Sequence, residues 1–287
     1  MKGTSGYSGL LTLLILAGVF PGCTGDSLEG TIVFQSSRDG NFEIYAMAAD
    51  GSSQRRLTFS PANDILPRWS PDGRNITFAS DRDGNWEIYA MRADGSMQQR
   101  LTHGEGSNTS PFWSPDGRKI YFISTRDVIN GEIYRMDPDG SGAERMTNDS
   151  TVKDRPVISR RGPHVVYVIN DRGRYSLAVF EPDRGPSTPI TPAQFNSVDP
   201  SFDHDGVKVL FTADRDGAPE VYEVARNGGE LKRLTFDGTG ARTPCATSSE
   251  HHILISEKGS IYMYSLQERA KKMLSYKGDS APDWFPR

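Results

Sequence analysis

Five histidines, His103, His164, His204, His251 and His252, are the first residues to weigh for chemistry. Imidazoles at metal-ligand spacing would make a zinc site, but none of these falls in an H-E-x-x-H or similar set. No G-x-S-x-G elbow and no phosphate loop occurs in the sequence, so neither hydrolase nor nucleotide chemistry has its usual carrier. Asp81, Asp83, Asn85 and Glu87 alternate as carboxylates and amide in a calcium loop do. Their spacing departs from the EF-hand pattern and the glycine is misplaced, so a tight hairpin is the expectation. Trp69, Trp113 and Trp284 could stack on sugar rings, and Tyr45, Tyr89, Tyr134, Tyr222 and Tyr262 form a second aromatic series. Because both series recur with one spacing, packing is expected of them rather than a site. Cys245 has no histidine beside it in sequence and is expected to be a small buried hydrophobe. These residues predict no catalytic set and no cofactor.

The chain that must position them has 287 residues, with 37 acids against 33 bases and a net charge of −4. That balance gives no electrostatic footprint for nucleic acid, which is therefore not an expected partner. Thirteen Phe, eleven Tyr and four Trp supply a core, while 29 Gly and 18 Pro indicate many turns and short strands. Two cysteines leave no disulfide framework and no cysteine-based zinc site.

Residues 1–22 read as an export signal. Lys2 precedes the apolar run from Leu10 to Phe20, which is shorter than the roughly 20 residues needed to cross a bilayer. The run ends in Pro21-Gly22-Cys23 and then turns polar. This resembles a bacterial lipoprotein signal, with Gly22 before the cysteine that becomes the lipidated mature N-terminus. Lipidation at Cys23 is expected, with residues 23–30 as a short tether. Ordinary secretion is the alternative, and either route exports the protein.

Repetition dominates the rest. Pro67-Arg68-Trp69-Ser70-Pro71-Asp72-Gly73-Arg74 returns 44 residues later as Pro111-Phe112-Trp113-Ser114-Pro115-Asp116-Gly117-Arg118, and weaker copies begin at Pro156, Pro200, Pro244 and Pro282. Leu57-Thr58 recurs as Leu101-Thr102, Met146-Thr147, Ile190-Thr191, Leu234-Thr235 and Leu274-Ser275. Glu43-Ile44-Tyr45 is echoed at 87–89, 132–134 and 220–222. Short β-branched and aromatic runs such as Ile76-Thr77-Phe78-Ala79 lie between these markers and predict strands buried on both faces. Ser70-Pro71-Asp72-Gly73 has the residue types of a type I turn. Four antiparallel strands per unit of about 40–45 residues is the period of a propeller blade, which hides both faces only by packing radially against neighbours. The expectation is an all-β, six-bladed propeller over residues 31–287. The array opens on the second strand of a blade and ends on a segment, Ser280 to Phe285, matching a first strand. The C-terminal strand should therefore join the N-terminal blade and close the ring.

The run P-x-W-S-P-D-G-R, then D-R-D-G-N-x-E-I-Y-x-M, D-G-S and R-L-T, resembles the TolB-type repeat, a relative of WD-repeat propellers. The resemblance covers about Thr31 to Arg287, with drift after Val157. It implies a non-catalytic docking surface in the cell envelope. TolB itself has an additional α/β domain ahead of its propeller, for which this chain has no room, so its partnership with a peptidoglycan-associated lipoprotein is not carried over.

In such blades the second-to-third and blade-to-blade connections share one end. That face collects Arg38, Asp39, Asn41, Phe42, Arg82, Asp83, Asn85, Trp86, Arg126, Asp127, Arg215 and Asp216, with Phe42 and Trp86 as candidate anchors. The reading is an exported, monomeric binding or scaffold module for an envelope protein or glycan, held to the membrane only by its lipid. The alternative is a polysaccharide lyase or hydrolase with its site at the channel mouth.

Overall fold

The Ser-Pro-Asp-Gly segments close as their residue types require. The Gly73 amide donates to the Ser70 carbonyl at 2.9 Å, Gly117 does the same to Ser114, and each serine hydroxyl bonds the turn aspartate. The computed structural model describes residues 29–104, 106–148, 151–182, 184–275 and 278–286. The leader and Cys23 lie outside the described residues, none of which is helical.

Strands follow in groups set by those turns. The first three are β1 (Gly30–Ser36), β2 (Glu43–Ala48) and β3 (Arg55–Arg56). Next come β4 (Asp64–Trp69), β5 (Asn75–Ser80), β6 (Glu87–Arg92) and β7 (Gln99–Arg100), then β8 (Asn108–Trp113), β9 (Ile120–Ser124), β10 (Glu132–Met136) and β11 (Glu144–Arg145). The drifted half holds β12 (Val152–Ile158), β13 (Val165–Asp171), β14 (Arg174–Phe180) and β15 (Thr188–Pro189), followed by β16 (Ser197–Phe202), β17 (Lys208–Ala213), β18 (Glu220–Ala225) and β19 (Lys232–Arg233). The chain ends with β20 (Arg242–Ala246), β21 (His252–Glu257), β22 (Ser260–Ser265), β23 (Ala270–Met273) and β24 (Asp279–Pro286).

These make six four-stranded antiparallel sheets, five of them consecutive in sequence and one ordered β24-β1-β2-β3. We number the blades 1 to 6 in chain order, blade 1 being the composite. The expected closure is present: Ile32 faces Trp284 and Thr31 faces Phe285 across β1 and β24. Six buried apolar clusters account for the ring, one between each pair of neighbouring blades. Trp284, Ile32 and Phe34 meet Leu254 and Ile261 between blades 1 and 6, and Trp69 and Phe78 meet Val33 and Ile44 between blades 1 and 2. The other four interfaces repeat the pattern. Each sheet thus removes both faces from water, at roughly 25 cal/mol for each Å2 of apolar surface.

The proline that opens each repeat marks a device in the innermost strand. Leu66, Ser110, Arg155, Asp199, Thr243 and Ala281 each precede it, and all six have positive φ, between 45° and 55°. At each, the pairing with the second strand slips, so two residues oppose one. Proline disfavours the right-handed helical region for the residue before it, and the bulge takes up the left-handed alternative. Such backbone costs of order 1–3 kcal/mol each and persists only where surrounding packing enforces it.

Candidate functional site

The Glu-Ile-Tyr and Arg-Leu-Thr markers prove to be two halves of one clamp. In blade 2, Arg100 donates to Glu87 Oε1 at 2.6 Å and Thr102 donates to Oε2 at 2.5 Å, while the Thr102 hydroxyl accepts the Ile88 amide at 2.8 Å. Glu43 with Arg56 and Thr58, Glu132 with Arg145 and Thr147, and Glu220 with Arg233 and Thr235 repeat it. All four glutamates are fully buried.

This clamp absorbs most of the charged residues expected on the loop face. The Tyr45, Tyr89 and Tyr134 hydroxyls donate to Asp39, Asp83 and Asp127, and Tyr222 donates to Asp216 at 2.6 Å. Arg38 donates to the buried Asp279 at 2.6 Å and lies over the Tyr45 ring; Arg82 pairs with Asp64 and lies over Tyr89. Arg126 donates to Asn108 at 3.2 Å over Tyr134. Asn41 donates its amide to the carbonyls of Ser60 and Ala62, pinning the connection to blade 2. Half-buried Phe42 and Trp86 offer their carbonyls to Asp64 and Asn108, the first residues of the next blades. Asn85 and Arg215 are exposed, with Arg215 over the ring of Phe195. The face also carries apolar groups that the sequence reading passed over: Phe59 (73% exposed), Ile129 (93%) and Phe236 (47%).

Burial, and then the hydrogen bond to a carboxylate, push the phenols of Tyr45, Tyr89, Tyr134 and Tyr222 up to about 12. A raised folded-state value means the unfolded chain loses these protons first. The stability these four phenols contribute should therefore be constant below pH 10, begin to fall there, and keep falling to about pH 12. A phenolate absorbance titration should show these four tyrosines, together with Tyr264, which burial also raises, ionising late. All eleven tyrosines titrating together near pH 10 in folded protein would refute the clamp.

His164, His204, His251 and His252 lie at the turns between first and second strands, and His103 lies at the other end. Among the described residues no group of three or more His, Cys, Asp or Glu side chains is placed to hold a metal. Asp81 accepts the Asn63 amide, Asp83 faces Tyr89 and Glu87 faces Arg100, so these carboxylates diverge. Cys245 is buried, and that burial pushes its thiol up to about 12, which leaves no nucleophilic thiolate at neutral pH.

What the sequence reading missed are the residues that line the channel. A cavity of about 480 Å3 runs along the axis, lined by the innermost strands. The six left-handed residues, Leu66, Ser110, Arg155, Asp199, Thr243 and Ala281, form one ring of its wall. The residues after each proline, Arg68, Phe112, Val157, Ser201, Cys245 and Asp283, form a second ring nearer the strand 1–2 turns. Trp69, Trp113 and Trp284 pack between blades as expected and also border this space. Arg160 and Arg161 stand at the turn-side mouth. No repeat signal could reveal these rings, because every member differs from its counterparts.

The TolB β-propeller domain model matches residues 29–97 and 67–197, which is more than half of the chain. The chain belongs to that family. TolB from Acinetobacter baumannii superimposes with a TM-score of 0.78 at 20% identity, over 91% of this chain and 68% of that one. A putative TolB from Agrobacterium tumefaciens gives 0.69 at 16%, over 91% of this chain and 100% of that one. A chain of a nidogen–laminin complex gives 0.71 at 11%, covering 89% and 97%. At such identities the likeness is one of fold. Among curated proteins, a Bacillus subtilis (strain 168) protein described as the uncharacterized peptidase YuxL is 30% identical over 82 residues. The match takes in 28% of this TolB-type propeller and 12% of that protein's length.

Proposed function

We propose that the protein is an exported, non-catalytic docking propeller of the cell envelope, anchored through a lipid on Cys23 after loss of residues 1–22. One observation carries this reading. The framework residues repeat from blade to blade, whereas the two rings lining the channel do not. Variation at every position of a cavity wall carried on a rigid scaffold is what recognition of an asymmetric partner requires. The partner is an envelope protein or a glycan, held by a monomer at the channel and on the loop face around Phe42, Asn85 and Trp86. Against the lyase or hydrolase alternative stand the protonated, buried Cys245 and the divergent carboxylates. A peptidase name on a relative matched over so small a share of its length does not extend to this chain.

A photo-crosslinker at Asn85, placed in cells, should capture one envelope component. Trp86→Ala should weaken that capture several-fold in protein that still folds, its melting temperature lowered only by the loss of the indole's packing on the cluster between blades 2 and 3. Undiminished capture by the variant would remove Trp86 as an anchor, and the absence of any envelope adduct would sink the docking reading.

A further inference from the structure

We propose that the turn-side mouth of the channel is an oxyanion site, in which Arg68 and Arg160 hold the carboxylate or phosphate group of a ligand. The inference deepens the docking reading and rests on it. Blade 4 lies three places round the ring from blade 1, yet Arg160, in the turn between β12 and β13, reaches across the channel. It donates to the Trp284 carbonyl and lies 3.7 Å from Asp283. Among the described residues no other ion pair joins blades that face each other across the mouth.

The acids of the channel are already occupied. Asp283 accepts the Trp69 amide at 2.8 Å, Asp199 pairs with Arg155, and Asp203 caps its own turn through the amides of Val207 and Lys208. Half-buried Arg68, next to Trp69 in the second ring, has no carboxylate partner for its guanidinium among the described residues. Arg160 is more than half exposed, so it can turn to a ligand while Asp283 keeps its amide donor. The positive field is felt locally. Burial pushes the Arg155 guanidinium below its usual range, Asp154 opposes this, and Arg68 and Arg242 add to the depression. At the Cys245 thiol, burial and then Asp283 raise the value while Arg160 and Arg68 lower it, so both guanidiniums are felt at this part of the channel beside the one carboxylate. An incoming oxyanion would relieve that repulsion. Tryptophan and proline walls lower the effective dielectric, and two guanidinium forks match a carboxylate or phosphate bidentately.

Three of the four tryptophans border the cavity, so their fluorescence reports occupancy. The full mature protein would be titrated at constant ionic strength in chloride with N-acetylglutamate and, separately, with inorganic phosphate. At least one should change the emission saturably and raise the melting temperature, and which one does so names the source of the oxyanion. Arg68→Gln and Arg160→Gln should each weaken that binding at least tenfold. Should Arg68→Gln melt early, Arg68→Lys, which keeps the charge and loses the fork, should still bind several-fold more weakly than the wild type. No saturation with either anion, or an unchanged affinity in the Arg68 variant, overturns the proposal. Envelope capture at Asn85 without any anion response would end this inference and leave the docking reading standing.

Discussion

Trp284→Ala should lower the melting temperature by about 10 °C, and removal of residues 279–287 should abolish cooperative unfolding. Trp284 is the largest fully buried side chain, set in the cluster that joins blades 1 and 6 and facing Ile32 across the closing pair of strands. The indole sits so close to Gly30 that a Cβ there would lie 2.7 Å from its ring. Space this tight leaves little room for collapse around a truncated side chain, and large-to-alanine changes at aromatic core sites cost about 3–5 kcal/mol. In a chain of this size each kcal/mol moves the midpoint by roughly 2–4 °C. Deletion does more, because it bares the edge of β1, empties two blade interfaces and leaves Arg38 without Asp279. Differential scanning calorimetry reads both changes. A truncated protein melting within a degree or two of the full chain would mean that the ring does not depend on this strand.

That closure was legible in the sequence because it follows from counting: the array begins one strand into a blade and ends with the strand that is missing. Six blades, their four strands and the Ser-Pro-Asp-Gly turns were legible for a related reason, since each is dictated by residues that recur. The residues of the loop face illustrate where counting misleads. Arg82 and Asp83 sit in an exposed turn by pattern, yet they meet Asp64 and Tyr89, placed 18 residues back and six ahead, because the clamp draws the turn onto its own blade. The markers Glu-Ile-Tyr and Arg-Leu-Thr announced a repeat without announcing that they bond to each other. The residues lining the channel were hidden for the opposite reason. Its lining comes from six separate places, and what makes it a candidate site is that Leu66, Ser110, Arg155, Asp199, Thr243 and Ala281 share a backbone conformation but not a chemistry.

Departures from the repeat can also be structural, and one of them carries a large expected effect. Three residues before the repeat proline, blades 1, 2 and 3 hold Asp279, Asp64 and Asn108, each bonded to an arginine in the loop between second and third strands. Blade 4 replaces that loop with a two-residue hairpin at Arg172 and Gly173, both with positive φ, and Arg172 is turned to solvent beside Asp171 instead of reaching the first strand. The position becomes Lys153, whose fully buried ammonium lies 3.0 Å from Glu132 of blade 3. Glu132 thereby ties two blades together. Glu132→Ala should cost about 3–5 kcal/mol, because it takes the carboxylate away from a charge that has no access to water. Lys153→Met should cost distinctly less, since Glu132 keeps Arg145 at 2.8 Å and the Thr147 hydroxyl. The double variant should fall well short of the sum of the two, because the second change removes the charge that the first one strands. Urea denaturation of the three proteins measures this asymmetry. Equal losses from the two single changes, or strict additivity, would show that the buried pair does not couple blades 3 and 4.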